Sequence, residues 1–258
     1  MIKLINKWGI KMTNSFIPLK EANLAIIDRR ASEKIVNNLE ILNIKVIRSI
    51  KCNALEESIS YHPDMVLHPI NHNTIVVAPS VFDYYDDKLS PFGLKVIKGE
   101  TTLSSKYPYD IAYNVGRLKN IAIHNFRYTD EKLKFFLKKE NVNFLNINQG
   151  YSKCSLAIAD NISGITADVY MFKKLLELGY DMLLIEPGHI NLFNQKYGFI
   201  GGTSGNYTKD IVLFSGRLDK HPDYLKIENY FRRKNKKIIY LSDDDIIDLG
   251  TIITLFIC

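Results

Sequence analysis

A near-constant repeat constrains this chain more than any other feature. Four stretches each read as two short apolar runs with a turn between them. They are DMVLHPINHNTIVVAP from Asp64, DIAYNVGRLKNIAIHN from Asp110, CSLAIADNISGITAD from Cys154 and GFIGGTSGNYTKDIVLFSG from Gly198. Their starts lie 46, 44 and 44 residues apart, a regularity that chance rarely produces. Asn, Gly and Asp occupy the turns, as a hairpin requires. Helical spacing of apolar residues follows in each repeat. Leu133, Phe136 and Leu137 mark a helix over Thr129–Glu140 with Thr129 as N-cap. Tyr170, Met171 and Leu175 mark one over Ala167–Gly179 that ends on Gly179. Pro222–Asn235 and Arg30–Asn43 carry the same pattern, and Phe82–Gly93 a weaker one. A short β-branched run follows each helix, beginning at Ile44, Leu94, Val142, Tyr180 and Lys236, and reads as a buried strand.

The first repeat, NLAIIDRR from Asn23, has one strand before its helix instead of two. The missing strand stands at the other end of the chain, as LGTIITLF from Leu249. Pairing the two would close a ring and remove open strand edges. The predicted fold class is therefore α/β: a five-fold pseudosymmetric α/β propeller of ββαβ repeats, closed by the C-terminal strand. The hairpin in each repeat argues against a doubly wound sheet. Residues 1–20 read as an N-terminal extension and 21–258 as one domain.

Composition bounds the function classes. A chain of 258 residues with 46% hydrophobic and 24% charged residues is long enough to bury a core without staples. Three cysteines do not make a disulfide framework and fit a reducing compartment. Lys3, Lys7 and Lys11 interrupt the N-terminal apolar runs, so no signal-peptide core forms, and no run reaches the length of a membrane span. The expected location is the cytoplasm, with no membrane partner. Net charge is +6, and the one dense basic run is Arg232–Lys237. Such a run fits either a nucleic-acid surface or, more simply, the cation-favouring end of a helix.

Five such units resemble the five-bladed α/β propeller of the pentein superfamily, the guanidino-group-modifying enzyme fold, and in particular an uncharacterised branch of it. Tyr107–Tyr113, YPYDIAY, is similar to the deiminase and dimethylaminohydrolase strand whose Asp binds the substrate guanidinium. Gly188–Ser204, GHINLFNQKYGFIGGTS, is similar to their Gly-Gly-Asp strand pair. The resemblance implies a central channel that takes a guanidino or amidino ligand. It also implies a thiolate nucleophile on the closing strand, a His to move protons, and carboxylates to hold the cation. The chain departs from that pattern: Tyr109 stands where an Arg or Glu is expected, and the closing strand begins Asp248-Leu249-Gly250-Thr251 without a Cys.

Candidate site residues follow from the repeat. Cys154, beside Lys153, falls where internal symmetry faces a channel. It reads as a nucleophile or as a buried structural cysteine. His189, after Gly188, is the candidate base, or a turn His with a backbone partner. Asp110 is the candidate cation binder, or caps the turn after Pro108. Asp64, Asn114 and Asp160 fall in or beside hairpin strands and are further substrate-binding candidates. Cys258 reads as an inert terminal thiol and Cys52 as a loop residue. His62, Asp64, His68 and His72 share strand parity, but Pro63 and Pro69 break the strand and the spacing matches no zinc pattern. No metal and no cofactor is assigned. Gly201–Gly205 reads as a hairpin turn rather than a phosphate loop, since a strand follows it. Two functions remain open. One is a channel site for a small cationic ligand, active or catalytically degenerate. The other is a non-enzymatic protein that binds RNA or the ribosome through a propeller face.

Overall fold

The computed structural model describes residues 14–257. The expectations placed on Lys3, Lys7, Lys11 and Cys258 lie outside the described residues.

Five repeats follow one another in the chain. The first is β1 (Leu24–Ile27), α1 (Glu33–Ile41) and β2 (Lys45–Arg48). The second is a single helical turn, α2 (Pro63–Val66), then β3 (Leu67–Asn71), β4 (Thr74–Val77), α3 (Phe82–Leu89) and β5 (Lys95–Lys98). The third is β6 (Gly116–Leu118), β7 (Ile121–His124), α4 (Glu131–Lys139) and β8 (Asn143–Asn146). The fourth is β9 (Ala157–Asp160), β10 (Ser163–Thr166), α5 (Val169–Glu177) and β11 (Asp181–Leu184). The fifth is β12 (Ser204–Thr208), β13 (Ile211–Phe214), α6 (Tyr224–Arg233) and β14 (Lys237–Tyr240), and β15 (Ile253–Leu255) comes last.

Each repeat makes one three-stranded sheet in which the middle strand is antiparallel to its hairpin partner and parallel to the strand after the helix. The sheet of the first repeat is β15-β1-β2, with Leu24 opposite Leu255 and Ile26 opposite Ile253. Both ends of the described chain thus share one sheet, as the incomplete first repeat predicts. The leading strands β6, β9, β12 and β15 pack against one another toward the centre. The helices place Leu39, Tyr85, Leu133, Leu175 and Ile227 against the sheets, all fully buried.

Local chemistry explains the regularity. Side chains of Ser32, Asp130 and Asp168 cap the N-termini of α1, α4 and α5 by accepting from Ile35, Leu133 and Met171 backbone N–H groups. Past the ends of α1, α3, α4, α5 and α6 stands a left-handed residue: Asn43, Gly93, Asn141, Gly179 and Asn235. Asn and Gly tolerate this conformation and turn the chain directly into the parallel strand.

Several expectations are corrected. The cap of α4 is Asp130; Thr129 instead gives its hydroxyl to His124, 2.6 Å away. Asp64 and Asn114 lie beside hairpin strands, as expected: Asp64 in α2 just before β3, since Pro63 opens a helical turn, and Asn114 in the turn before β6. Shared strand parity across His62–His72 therefore fails, since β3 starts at Leu67. Gly201–Gly205 is not a hairpin turn: Ile200–Thr203 form a single 3-10 turn that feeds β12. The final strand is shorter than LGTIITLF, and Leu249–Ile252 form an irregular lead-in. The basic run lies at a helix end: Arg232 and Arg233 close α6, Lys234 meets Asp181 of the fourth repeat at 2.6 Å, and Lys236 donates to Lys209 O.

Residues Asn14–Ile17 pack into the centre of the molecule. Asn14 Nδ2 donates to Arg117 O, Ser15 Oγ to Pro69 O, and the Phe16 ring lies under the Lys153 ammonium and edge-on to His68. No described helix is long and apolar enough to cross a membrane.

Candidate active site

Short irregular segments precede the leading strand of each sheet, and they meet at the centre. Asp64 lies three residues before β3, Cys154 three before β9, Gly201 three before β12 and Gly250 three before β15. Asn114 lies just before β6. The five-fold repeat thus presents one position from each unit to a common point.

Asn114 is the bracket of this point. Its Oδ1 accepts from the backbone N–H groups of Lys153 (2.9 Å) and Cys154 (3.2 Å). Its Nδ2 donates toward Asp64 O and lies 3.1 Å from Cys154 Sγ. The Cys154 thiol donates to Asp64 Oδ2 at 3.2 Å, and the Thr251 hydroxyl donates to the same oxygen at 2.6 Å. Lys153 Nζ donates to Thr251 Oγ1 at 3.0 Å and to the carbonyls of Leu156 and Gly201. A relay of Lys153, Thr251 and Asp64 therefore runs beneath the thiol. Gly250 is left-handed, and a side chain there would collide with the His62 ring.

His62 and Asp248 complete the cluster from the other side. Each lies five residues before its strand, β3 or β15. Asp248 is held by the backbone N–H groups of Phe199 (2.8 Å) and Gly250 (2.9 Å). His62 has only 1% of its surface exposed, yet neither ring nitrogen has a hydrogen-bond partner among the described residues. Its Nε2 lies 3.8 Å from Asp28 and its Nδ1 3.9 Å from Asp248. Ligand atoms of His62, Asp64 and Cys154 all lie within 4.8 Å of one another. Asp64 Oδ1 is likewise buried without a partner.

A cavity of about 360 Å³ opens onto this cluster, lined among others by Glu56, His62, Tyr151, Cys154, Phe199 and Asp248. That is the size class of small-molecule sites. Its walls combine acid and aromatic surface. The Tyr151 and Phe199 rings stack with centroids 6.0 Å apart, and behind Tyr151 its hydroxyl donates to Asp110 Oδ2 at 2.5 Å.

Burial sets the ionisation of the cluster. It pushes the Cys154 thiol well above the ordinary thiol range, reinforced by the negative charges of Asp64 and Asp248. Burial also raises Asp248, opposed by His62 and two backbone donors, and lowers Lys153, opposed chiefly by Asp64. Asp110 is raised by burial against the pull of the Tyr151 hydroxyl. Burial and the two carboxylates outweigh the nearby Lys153 and favour a neutral Cys154 thiol, whose proton points at Asp64.

The structure places the sequence candidates unequally. Cys154, Asp64 and Asn114 come together, and Asp110 stands behind the wall residue Tyr151. His189 does not join them. It is exposed in the turn after β11, 3.2 Å from Glu186, with its ring edge-on to His221. Asp160 ends β9, and its carboxylate accepts from Ile162 N within its own hairpin turn. Sequence reasoning missed His62, Asp248 and Thr251 as site residues. The available signal was positional: His62-Pro63-Asp64 and Asp248-Leu249-Gly250 occupy equivalent places five to three residues before a leading strand.

Comparison with known proteins agrees with this architecture. The profile described as "Family of unknown function (DUF6873)" matches residues 26–253. No curated protein matches the sequence. Among solved structures, the DDAH from Pseudomonas aeruginosa complexed with citrulline superposes with a TM-score of 0.55 at 10% identity, covering 91% of this chain and 98% of the other. SxtG, an amidinotransferase from Microseira wollei in the saxitoxin biosynthetic pathway, gives 0.54 at 12% identity, over 89% and 91% of the two chains. Inosamine-phosphate amidinotransferase from Streptomyces griseus gives 0.53 at 11% identity, over 90% and 91%. All three have the pentein fold, and so does this chain.

Proposed function

The chain belongs to this family of unknown function and folds as a pentein propeller, and from that premise we propose that its central cavity binds a guanidino- or amidino-type small molecule, with Cys154 as the attacking thiol. The observation that carries the reading is the convergence of Cys154, Asp64 and His62 within 4.8 Å at the inner end of an acidic, aromatic-walled cavity. Glu56 and Asp248 on the wall, with Asp64 behind it, suit a cation. The ring faces of Tyr151 and Phe199 suit a planar one.

Electrostatics then orders the steps. A guanidinium beside Cys154 offsets the burial and the two carboxylates that hold the thiol neutral. The thiol proton passes along the existing hydrogen bond to Asp64 Oδ2, and sulfur forms a bond to the central carbon. As the tetrahedral adduct collapses, the C–N bond breaks and the departing amine takes the proton that Asp64 received, handed on through the His62 imidazole, which is left neutral. Water, or an acceptor amine, then displaces sulfur with His62 as base. The closing strand and its lead-in, Asp248 to Leu255, carry no Cys, and Thr251 there donates to Asp64.

The test is release of ammonia or amine from a panel of guanidino and amidino compounds. Turnover that falls by at least about a thousandfold in Cys154→Ser supports the reading. A protein that neither turns over nor is thermally stabilised by any of these compounds, yet binds RNA with a steep salt dependence, would instead support an interaction protein.

A further inference from the structure

Three donors of different chemistry meet at this cluster: an imidazole nitrogen, a carboxylate oxygen and a thiol sulfur. We propose that His62, Asp64 and Cys154 also form a three-ligand binding site for a borderline-soft divalent cation, best matched by Zn²⁺, with the cavity supplying the open fourth position.

Nitrogen, oxygen and sulfur donors together select zinc-like ions over hard cations, which favour oxygen alone. In a tetrahedral site with bonds of about 2.0–2.3 Å, ligand atoms stand roughly 3.3–3.8 Å apart. The Cys154–Asp64 pair is already at 3.2 Å, and all three ligand atoms lie within 4.8 Å of one another, so small side-chain rotations close the set.

The strongest argument is the unused bonding capacity. Buried polar atoms are nearly always paired, so each orphan needs an explanation. Among the described residues, both nitrogens of His62 and Oδ1 of Asp64 are orphans, on side chains about 1% exposed. A cation among them satisfies one nitrogen and the free oxygen at once. The other nitrogen then faces a carboxylate whichever way the ring is used: Asp28 on the Nε2 side or Asp248 on the Nδ1 side, at 3.8 and 3.9 Å. An imidazole backed by a carboxylate is the usual outer support of a zinc ligand. Lys153, the nearest buried cation, reaches Asp64 through the Thr251 hydroxyl and leaves Oδ1 uncommitted. The three ligands span residues 62–154, which is why no local spacing announces them.

Binding exchanges the thiol proton for a metal–sulfur bond and releases one proton to solvent through the cavity. The metal then holds the sulfur that attack on a guanidinium requires. Competition between the two ligands rests on the proposed function; the metal affinity does not.

The experiment uses the full chain, chelator-treated, in a Cys52→Ser, Cys258→Ser background that leaves Cys154 as its single thiol. Titration with Co²⁺ should give one equivalent of binding, a near-ultraviolet thiolate-to-metal band, and release of one proton. Zn²⁺ should abolish the band. His62→Ala should weaken binding by at least about tenfold, and Asp248→Asn by about 10- to 100-fold. Cys154→Ser should lose the band while keeping its far-ultraviolet circular dichroism. Absence of stoichiometric binding in the parent, or a band that survives in Cys154→Ser, overturns the site. Turnover of guanidino compounds is scored separately in metal-free buffer, so failure of one proposal is not failure of the other.

Discussion

Two histidines of this protein are equally buried and treated in opposite ways. His124, on β7, has its Nδ1 at 2.6 Å from Thr129 Oγ1 and its Nε2 at 2.8 Å from Gly150 O. His62 has no such bond. The carboxylates divide likewise. Asp130 accepts from Leu133 N through Oδ1, and from Glu100 N, Thr101 N and Tyr113 Oη through Oδ2. Asp64 keeps Oδ1 empty-handed in the middle of the molecule. His124 and Asp130 are finished structure, and their hydrogen bonds lock a loop onto a sheet. Among the described residues, His62 at both ring nitrogens and Asp64 at Oδ1 carry the desolvation cost of burial without a compensating bond. Uncompensated polarity of this kind marks a place arranged to receive something.

The contrast can be broken in order of expected effect. His62→Leu should reduce turnover of a guanidino substrate by about 10²- to 10⁴-fold. It should leave urea stability unchanged or raised, because an apolar residue there removes an orphaned imidazole. Loss of stability comparable to that of a packing mutant would make His62 structural. His124→Leu should do the reverse. It orphans the Gly150 carbonyl, leaves the Thr129 hydroxyl only its long bond to Asn125 O, and should lower unfolding free energy by about 2–4 kcal/mol, while the folded fraction keeps its ligand affinity.

Acid stability sharpens the same point. Burial lowers the His124 pKa from 6.5 to about 4. The folded protein holds a neutral imidazole where the unfolded chain takes up a proton, so protons favour unfolding. Stability contributed by His124 is present above pH 6.5 and lost as pH falls toward 4, by about 3 kcal/mol. Urea melts across that window should show the fall in the parent and a flatter profile in His124→Leu. The smallest effect is expected from Thr251→Val, which cuts the relay between Lys153 and Asp64. A loss of about 1–2 kcal/mol by urea melt, with faster alkylation of Cys154, would fit a supporting role for the hydroxyl.

The fold was legible because its determinants are local and repeated. Asn43, Gly93, Asn141, Gly179 and Asn235 each end a helical segment in the left-handed conformation, and a short strand that pairs in parallel follows each of those segments. Even the missing strand of the first repeat could be located, since its apolar run survives at Ile253–Leu255. The error at Thr129 was of one residue and arose because two cap-forming side chains adjoin. The site was only half legible. Cys154, Asp64 and Asn114 sit at repeat-equivalent positions that symmetry can point to. His62 and Asp248 lie in irregular lead-in segments without periodicity, and only ring closure brings residues 62 and 248 to the same wall. His189 was misleading for a related reason: a Gly-His pair after a strand looks like a channel lip, but the turn after β11 leaves that ring beside Glu186 and His221 at the surface.

The pairing of β15 with β1 also has a meaning in time. While the chain is being made, β1 waits with an open edge until residues 253–255 have left the ribosome, almost a full chain length later. Asp248 and Thr251 arrive in the same final stretch. A nascent chain therefore carries Glu56, Asp64 and Cys154 before Asp248 and Thr251, and the cluster around the thiol is completed only when that later stretch folds back onto it.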